Sequence, residues 1–134
     1  KEMTDLAVVS NDINSFTDRY DTLVGERGVV LSGGQKTRLA LARALFKPHS
    51  LLILDDVLSA VDHETEQQLI QNLQQDKDAR TTVIISHRIS ALTHCDHIIV
   101  LDKGKMIDEG SHGDLIKKEG LYKYSYEYQK MTNE

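Results

Sequence analysis

Two short apolar runs, Leu51-Leu52-Ile53-Leu54 and Thr82-Val83-Ile84-Ile85, limit the folds open to this chain. Each runs without alternation and ends in polar residues, Asp55-Asp56 after the first and Ser86-His87-Arg88 after the second. A continuous apolar run of this length reads as a strand buried on both faces, the pattern of a parallel sheet. Between them Glu64 to Gln75 is amphipathic, with Leu69, Ile70 and Leu73 inward and Asp62 placed as an N-cap. Strand, helix and strand at this spacing predict a right-handed parallel crossover. It sets Asp55, Asp56 and His87 along one edge of the sheet, where α/β proteins bind ligands. Acidic pairs also cap helices and sit in solvated loops, so this pair does not by itself define a site.

A second feature stands upstream. Leu31-Ser32-Gly33-Gly34-Gln35 leads into a stretch free of Pro and Gly and rich in Ala, Leu, Arg and Lys. The spacing predicts a helix over about 34–46, with Leu41, Ala42 and Leu45 inward and Lys36, Arg38 and Arg43 toward solvent. Ser32 then stands at the N-cap. A glycine-rich helix start offers unpaired N–H groups and a positive dipole end to an anion.

The flanks are less patterned. In residues 1–30, Met3, Leu6, Ala7 and Val9 suit one face of a short helix. Asn11-Asp12-Ile13-Asn14 offers a break, Ile13 and Phe16 anchor a further turn, and Gly25-Glu26-Arg27-Gly28 reads as a turn. After the second strand a short helix over 88–94 leads to Ile98-Leu101, and Asp102-Lys103-Gly104-Lys105 reads as a hairpin turn into Met106-Ile107. Ser111 and Asp114 match a capping box. Tyr122, Tyr124, Tyr126 and Tyr128 alternate as a strand would, but polar Glu127, Gln129 and Lys130 favour a terminal helix.

Composition excludes some functions. Twenty-one Asp and Glu against 16 Lys and Arg, with no basic run, speak against nucleic acid as a partner. The single cysteine, Cys95, excludes an intramolecular disulfide. No apolar run reaches the ~20 residues that span a bilayer, so any spanning part lies outside these residues. His94-Cys95-x-His97 resembles metal-ligand spacing without four convergent ligands, and packing explains it better. His49, His63 and His112 fall in turns or helix starts and are expected to be exposed.

Taken together these motifs resemble the ATP-binding domain of ABC-type ATPases. Leu31 to Gln35 is similar to the signature motif, Leu51 to Asp55 to the Walker B strand, Ser59-Ala60-Val61-Asp62 to the D-loop and His87 to the switch histidine. The phrasing from Asp12 through Gly25-Glu26-Arg27-Gly28 to Gly110 resembles exporters. The resemblance implies a P-loop NTPase (RecA-like) α/β fold with part of the helical subdomain. Residues 1–30 would be a remnant of that subdomain, and 31–134 the C-terminal half of the ATPase core. It implies ATP and Mg²⁺ as cofactors, with Asp55 toward the metal and Asp56 and His87 in catalytic positions. Ser32, Gly33, Gly34 and Gln35 would meet the γ-phosphate of nucleotide held by a second ABC subunit, with Asp62 at the contact between subunits. A transmembrane domain upstream, and a place on the cytoplasmic face of a bacterial inner membrane, follow from the same resemblance.

Two departures from the family pattern matter. No Gly-x-x-x-x-Gly-Lys-Ser/Thr phosphate loop occurs in the sequence, so the middle strand of the sheet and the main grip on the phosphates should be missing. The position that is normally a glutamate, orienting the attacking water, is Asp56. An intact signature beside a shortened carboxylate fits the slow-site subunit of a heterodimeric exporter, while a variant tolerated in a homodimer is the alternative. Rival readings are a non-transport ABC ATPase of DNA repair or translation, and a docking module that lends its signature to a partner.

Overall fold

A computed structural model describes residues 2–75 and 80–132. It divides into two compact units, Lys1–Ile85 and Ser86–Glu134.

The first unit begins with α1 (Glu2–Leu6) and α2 (Ser10–Ser15). The expected break at 11–14 lies inside α2. It occurs instead at Ala7–Val9, where Val8 takes a left-handed φ of 53° and Ala7 and Val9 turn into the core. A turn closes between Gly25 and Gly28, whose N–H donates to Gly25 O at 3.0 Å. Gly28 is needed there, since a Cβ would lie 2.0 Å from the Leu23 carbonyl oxygen. Helix α3 spans Gly33–Phe46 and buries Leu41, Ala42 and Leu45, as its spacing predicts.

Strand β1 (Leu51–Asp55) and strand β2 (Thr81–Ile85) pair in parallel, Leu51 opposite Thr81 and Asp55 opposite Ile85. Between them α4 (His63–Gln75) buries Leu69 and Ile70, while Leu73 is only half-buried. The cap is as expected: Asp62 Oδ1 accepts from Thr65 N at 2.9 Å. Asn72 of α4 donates to the carbonyls of Asp5 and Leu6, tying down the end of α1.

Burial of β1 on both faces is not what the structure has. Leu52 and Leu54 are buried, but Leu51 and Ile53 are 50% and 58% exposed. Val83 and Ile85, on the same face of β2, are also exposed. Within this unit no described element covers that side. The sheet has one packed face and one bare apolar face.

In the second unit, the expected helix over 88–94 reduces to a 3₁₀ turn at Ile89–Ala91. Thr93 bonds back to the Ser90 carbonyl there, the local competition that keeps Ser and Thr from extending a helix. Strands β3 (Ile98–Asp102) and β4 (Lys105–Gly110) form an antiparallel hairpin. Its two-residue loop, Lys103-Gly104, has φ of 48° and 75°, the left-handed pair that suits a tight hairpin. Helix α5 (His112–Leu115) is capped by Ser111 Oγ, which accepts from Asp114 N at 3.2 Å. The terminal helix α6 (Leu121–Thr132) is present, with Tyr122 buried and Tyr124 and Tyr128 exposed. Tyr122 joins Ile89, Ile98, Val100 and Leu115 in the core of this unit.

Strands β1 and β2 form one two-stranded sheet and β3 and β4 another. Among the described residues no strand joins them.

Candidate functional site

The start of α3 is built as its residues demand. Ser32 Oγ accepts from Gln35 N at 3.2 Å, and Ser32 N donates to Gln35 Oε1 at 3.0 Å, a complete capping box. Gly33 and Gly34 occupy the first helical positions, whose N–H groups have no acceptor within a helix. Nothing stands within 4 Å of where a Gly33 Cβ would be, so its backbone is open to a ligand. Gly34 has a different reason to be glycine: a Cβ there would lie 3.0 Å from the Ala60 carbonyl. The glycine lets the helix start sit directly on the segment that follows β1.

That segment is tightly specified. Asp55 ends β1, and Asp56 takes a left-handed φ of 50°, a conformation that Asp tolerates better than most residues. Asp56 N donates to Ile85 O at 2.9 Å, extending the β1–β2 pairing by one bond. Its own carbonyl accepts from Ser59 N and Ser59 Oγ, which starts a 3₁₀ turn at Val57–Ala60. Both carboxylates are exposed. A groove of about 400 Å³ runs beside them, lined by Thr37, Ala40 and Ala44 of α3 and by Ile53 and Asp55 of β1. Asp62 follows at the head of α4, and the N–H and hydroxyl of Thr65 hold its carboxyl below the usual range. It therefore carries its charge even in mild acid.

Gln35 is anchored from a direction the sequence does not reveal. Its Nε2 donates to Asp12 Oδ1 at 2.8 Å, while the other Asp12 oxygen accepts from Arg38 Nη1 at 2.7 Å. Arg38 Nη1 also bonds to the Val8 carbonyl. The side chains of Arg38 and Asp12 are 14% and 24% exposed, so the expectation that Arg38 points to solvent is corrected. Helix α2 lays a carboxylate across the first turns of α3 and draws the arginine down. The only advance signal for Asp12 lies in its place at the head of the exporter-like phrasing.

His87 lies two residues beyond β2, exposed, and belongs to the second unit. Its carbonyl accepts from Gln129 Nε2 at 2.7 Å. Asp55, Asp56, Asp62 and the Ser32–Gln35 cap all belong to the first unit. Two other histidines are less exposed than expected. His49 is half-buried and bonds to Arg80 at 3.0 Å, and His112 packs edge-on against Tyr122 and Tyr126. His97 pairs with Glu109 at 3.0 Å, and burial pushes the half-buried Cys95 thiol up.

These features suit a Mg²⁺-nucleotide. Free N–H groups on glycine at a helix N-terminus suit phosphate oxygens. One or two carboxylates complete a Mg²⁺ site whose other ligands are phosphate and water, and Asp55 and Asp56 are two exposed carboxylates at a strand end.

Residues 5–59 match the family described as ABC transporter. Over 130 residues the chain is 49% identical to the multidrug resistance-like ATP-binding protein MdlA of Buchnera aphidicola, spanning 96% of this chain and 22% of that protein. It is 44% identical to an ATP-dependent lipid A-core flippase of Legionella pneumophila, over 92% of this chain and 21% of that one. A solved bacterial Atm1-family ABC exporter with ATP bound superposes with a TM-score of 0.85 at 40% identity, covering 96% of this chain and 23% of the exporter chain. The chain thus spans about a fifth of the length of the curated relatives it matches. Over residues 5–59 by the family model, and over nearly its whole length by these relatives, the chain is similar to the ATP-binding domains of ABC transporters.

Proposed function

We propose that this chain is the C-terminal half of the nucleotide-binding domain of an ABC exporter, in which ATP binding and hydrolysis drive a substrate across a membrane. One observation supports this most. Gly34 seats the signature helix on the Val57–Ala60 turn beside Asp55 and Asp56, so the element offered to the partner's nucleotide and the carboxylates of this subunit's own site are held in fixed relation within one unit. Mg²⁺ would supply charge neutralisation at the β- and γ-phosphates. Asp55 would hold it, the Gly33 and Gly34 N–H groups and the Ser32 hydroxyl would meet phosphate oxygens, and His87 would contact the γ-phosphate. Gln35 Oε1 and one Nε2 hydrogen bond within the chain and hold the helix start, and its second Nε2 hydrogen would meet a phosphate oxygen. Asp62 would lie at the contact with a second ABC subunit.

On this reading the signature is half of a site. It serves nucleotide gripped by the other subunit. Asp56, one methylene shorter than glutamate, reaches less far toward a water, and a misplacement of about 1 Å costs on the order of 10²-fold in rate. On this reading the subunit's own Walker B belongs to the slow site of a heterodimer. Among the described residues no helix is long and apolar enough to cross a membrane, so the spanning part would be a transmembrane domain in the longer protein, with this domain at its cytoplasmic face.

The test is steady-state MgATP hydrolysis by the full-length protein in proteoliposomes. In a complex whose partner site is disabled, the wild type is expected to hydrolyse ATP slowly, and Asp56→Glu to do so about tenfold faster or more. A rate unchanged or lowered by Asp56→Glu in a folded protein sinks the slow-site reading. No hydrolysis by either sinks the ATPase reading itself.

A further inference from the structure

We infer that Gln129, near the end of α6, is the positioning residue for His87. The inference rests on the function proposed above, in which His87 contacts the reacting phosphate.

Tyr122, Tyr126 and Gln129 recur at helical spacing on one face of α6. Tyr122 is buried in the core of the second unit, Tyr126 packs against it, and Gln129 ends the stripe half-buried. An amide at the end of an otherwise aromatic stripe must find partners for both its ends. Gln129 finds them on the segment that carries His87. Its Nε2 donates to the His87 carbonyl at 2.7 Å, and its Oε1 accepts from Ile89 N at 2.9 Å. One partner is only an acceptor and the other only a donor, so the orientation of the amide is fixed by its contacts.

Ile89 N opens the 3₁₀ turn Ile89–Ala91, whose N-cap residue, Arg88, makes no side-chain cap bond. The Gln129 amide takes over that cap from a distant element. Together its two bonds bridge the backbone on either side of Arg88, leaving the His87 side chain itself exposed. Locally, Arg88 N also donates to Ser86 Oγ at 3.0 Å. The Gln129 amide thus ties residues 87–89 to α6, while Tyr122 and Ile89, in the same core, fix the distance between helix and turn. The backbone from which the His87 imidazole swings is set by a residue 42 positions later in the chain.

Asparagine, one methylene shorter, cannot span both partners. Glutamate keeps the acceptor for Ile89 N but sets a carboxylate against the His87 carbonyl. Both predict the same kinetic signature as alanine.

The experiment is a double-mutant cycle in the full-length protein, assembled with a second subunit whose own catalytic site is disabled so that turnover reports the site of His87, read as steady-state MgATP hydrolysis: wild type, His87→Ala, Gln129→Ala and the pair. Gln129→Ala is expected to lower kcat about tenfold with KM for MgATP within about twofold, a loss confined to the reacting geometry. In the His87→Ala background the same change is expected to cost nothing further, because its effect passes through that imidazole. An equal loss in both backgrounds, or none in the wild-type background, overturns the inference while the ATPase reading stands. If His87→Ala hydrolyses as fast as wild type, the role given to His87 fails, and this inference with it. Should Gln129→Ala not fold, Gln129→Asn carries the same comparison.

Discussion

Asp12 holds the signature glutamine and a half-buried arginine at once, and removing it tests the reading of the α2–α3 junction. In Asp12→Ala, Arg38 keeps only the Val8 carbonyl for its Nη1, and its Nε is already buried without a partner. Gln35 loses the bond to its Nε2. An exposed ion pair contributes about 0–1 kcal/mol, whereas breaking a buried one costs about 3–5 kcal/mol. With its two side chains 14% and 24% exposed, this pair stands between those limits, and a loss of about 2–3 kcal/mol is expected. Asp12→Asn keeps the shape and one acceptor but not the charge, and should cost about half as much. Adding Arg38→Leu to Asp12→Ala removes the stranded guanidinium and should restore about 1 kcal/mol or more. The assay is urea denaturation, where a loss of that size moves the midpoint down by roughly 1 M. A midpoint for Asp12→Ala within about 0.2 M of wild type would show that the pair is solvated and the arithmetic wrong.

Three further outcomes are expected. Gly33→Ala places a methyl where nothing lies within 4 Å, so it should leave the melting temperature unchanged yet lower hydrolysis by about tenfold or more, whereas Gly34→Ala, 3.0 Å from the Ala60 carbonyl, should lower both; equal stability losses would refute the contrast. Titration of the 134-residue chain with MgATP should give no affinity tighter than about 1 mM, and a low-micromolar Kd would show that no outside phosphate loop is needed. Burial raises Tyr122 from 10.0 to about 12, so its share of stability is complete below pH 10 and is lost as pH rises through about 12. Stability measured from pH 9 to 12 should therefore fall more steeply in wild type than in Tyr122→Phe, and parallel curves would contradict the assignment.

What the sequence made legible was local. The Ser32 cap, the Asp62 cap, the parallel pairing of β1 with β2, the Lys103-Gly104 hairpin and the terminal helix all depend on residues within a turn or one crossover of each other. The pattern fails where distant segments meet. Arg38 reads as a solvent-facing residue on a helical wheel, and the arrival of Asp12 and the Val8 carbonyl, 26 and 30 residues earlier, draws it inward. Glu66 shares the inward stripe of α4 with Leu69 and Ile70 and is fully buried, although periodicity gives no reason to expect a carboxylate there. Gln129 reads as one of the polar residues that favour a helix, yet its amide spans two backbone groups 42 and 40 positions away. Long-range polar contacts of this kind leave no periodic trace.

The bare side of β1 and β2 carries the same lesson into energetics. An unbroken apolar run predicts burial on both faces, and the run is real, but only Leu52 and Leu54 are covered. Leu51, Ile53, Val83 and Ile85 keep from 40% to 58% of their surface in water. Fully burying such a side chain is worth about 1.5–3 kcal/mol, so covering the exposed half of four would add roughly 4 kcal/mol. That is comparable with the entire net stability of many domains, about 5–15 kcal/mol. Under the proposed function a Gly-Lys loop in the longer protein would be followed by a helix, and a helix packed on this face would supply the missing cover. Supplying that segment should then raise stability and nucleotide affinity together. Melting the chain with and without the upstream half of the domain, in the presence and absence of MgATP, measures both. A gain in affinity with no gain in stability would separate the two and leave the bare face to some other partner.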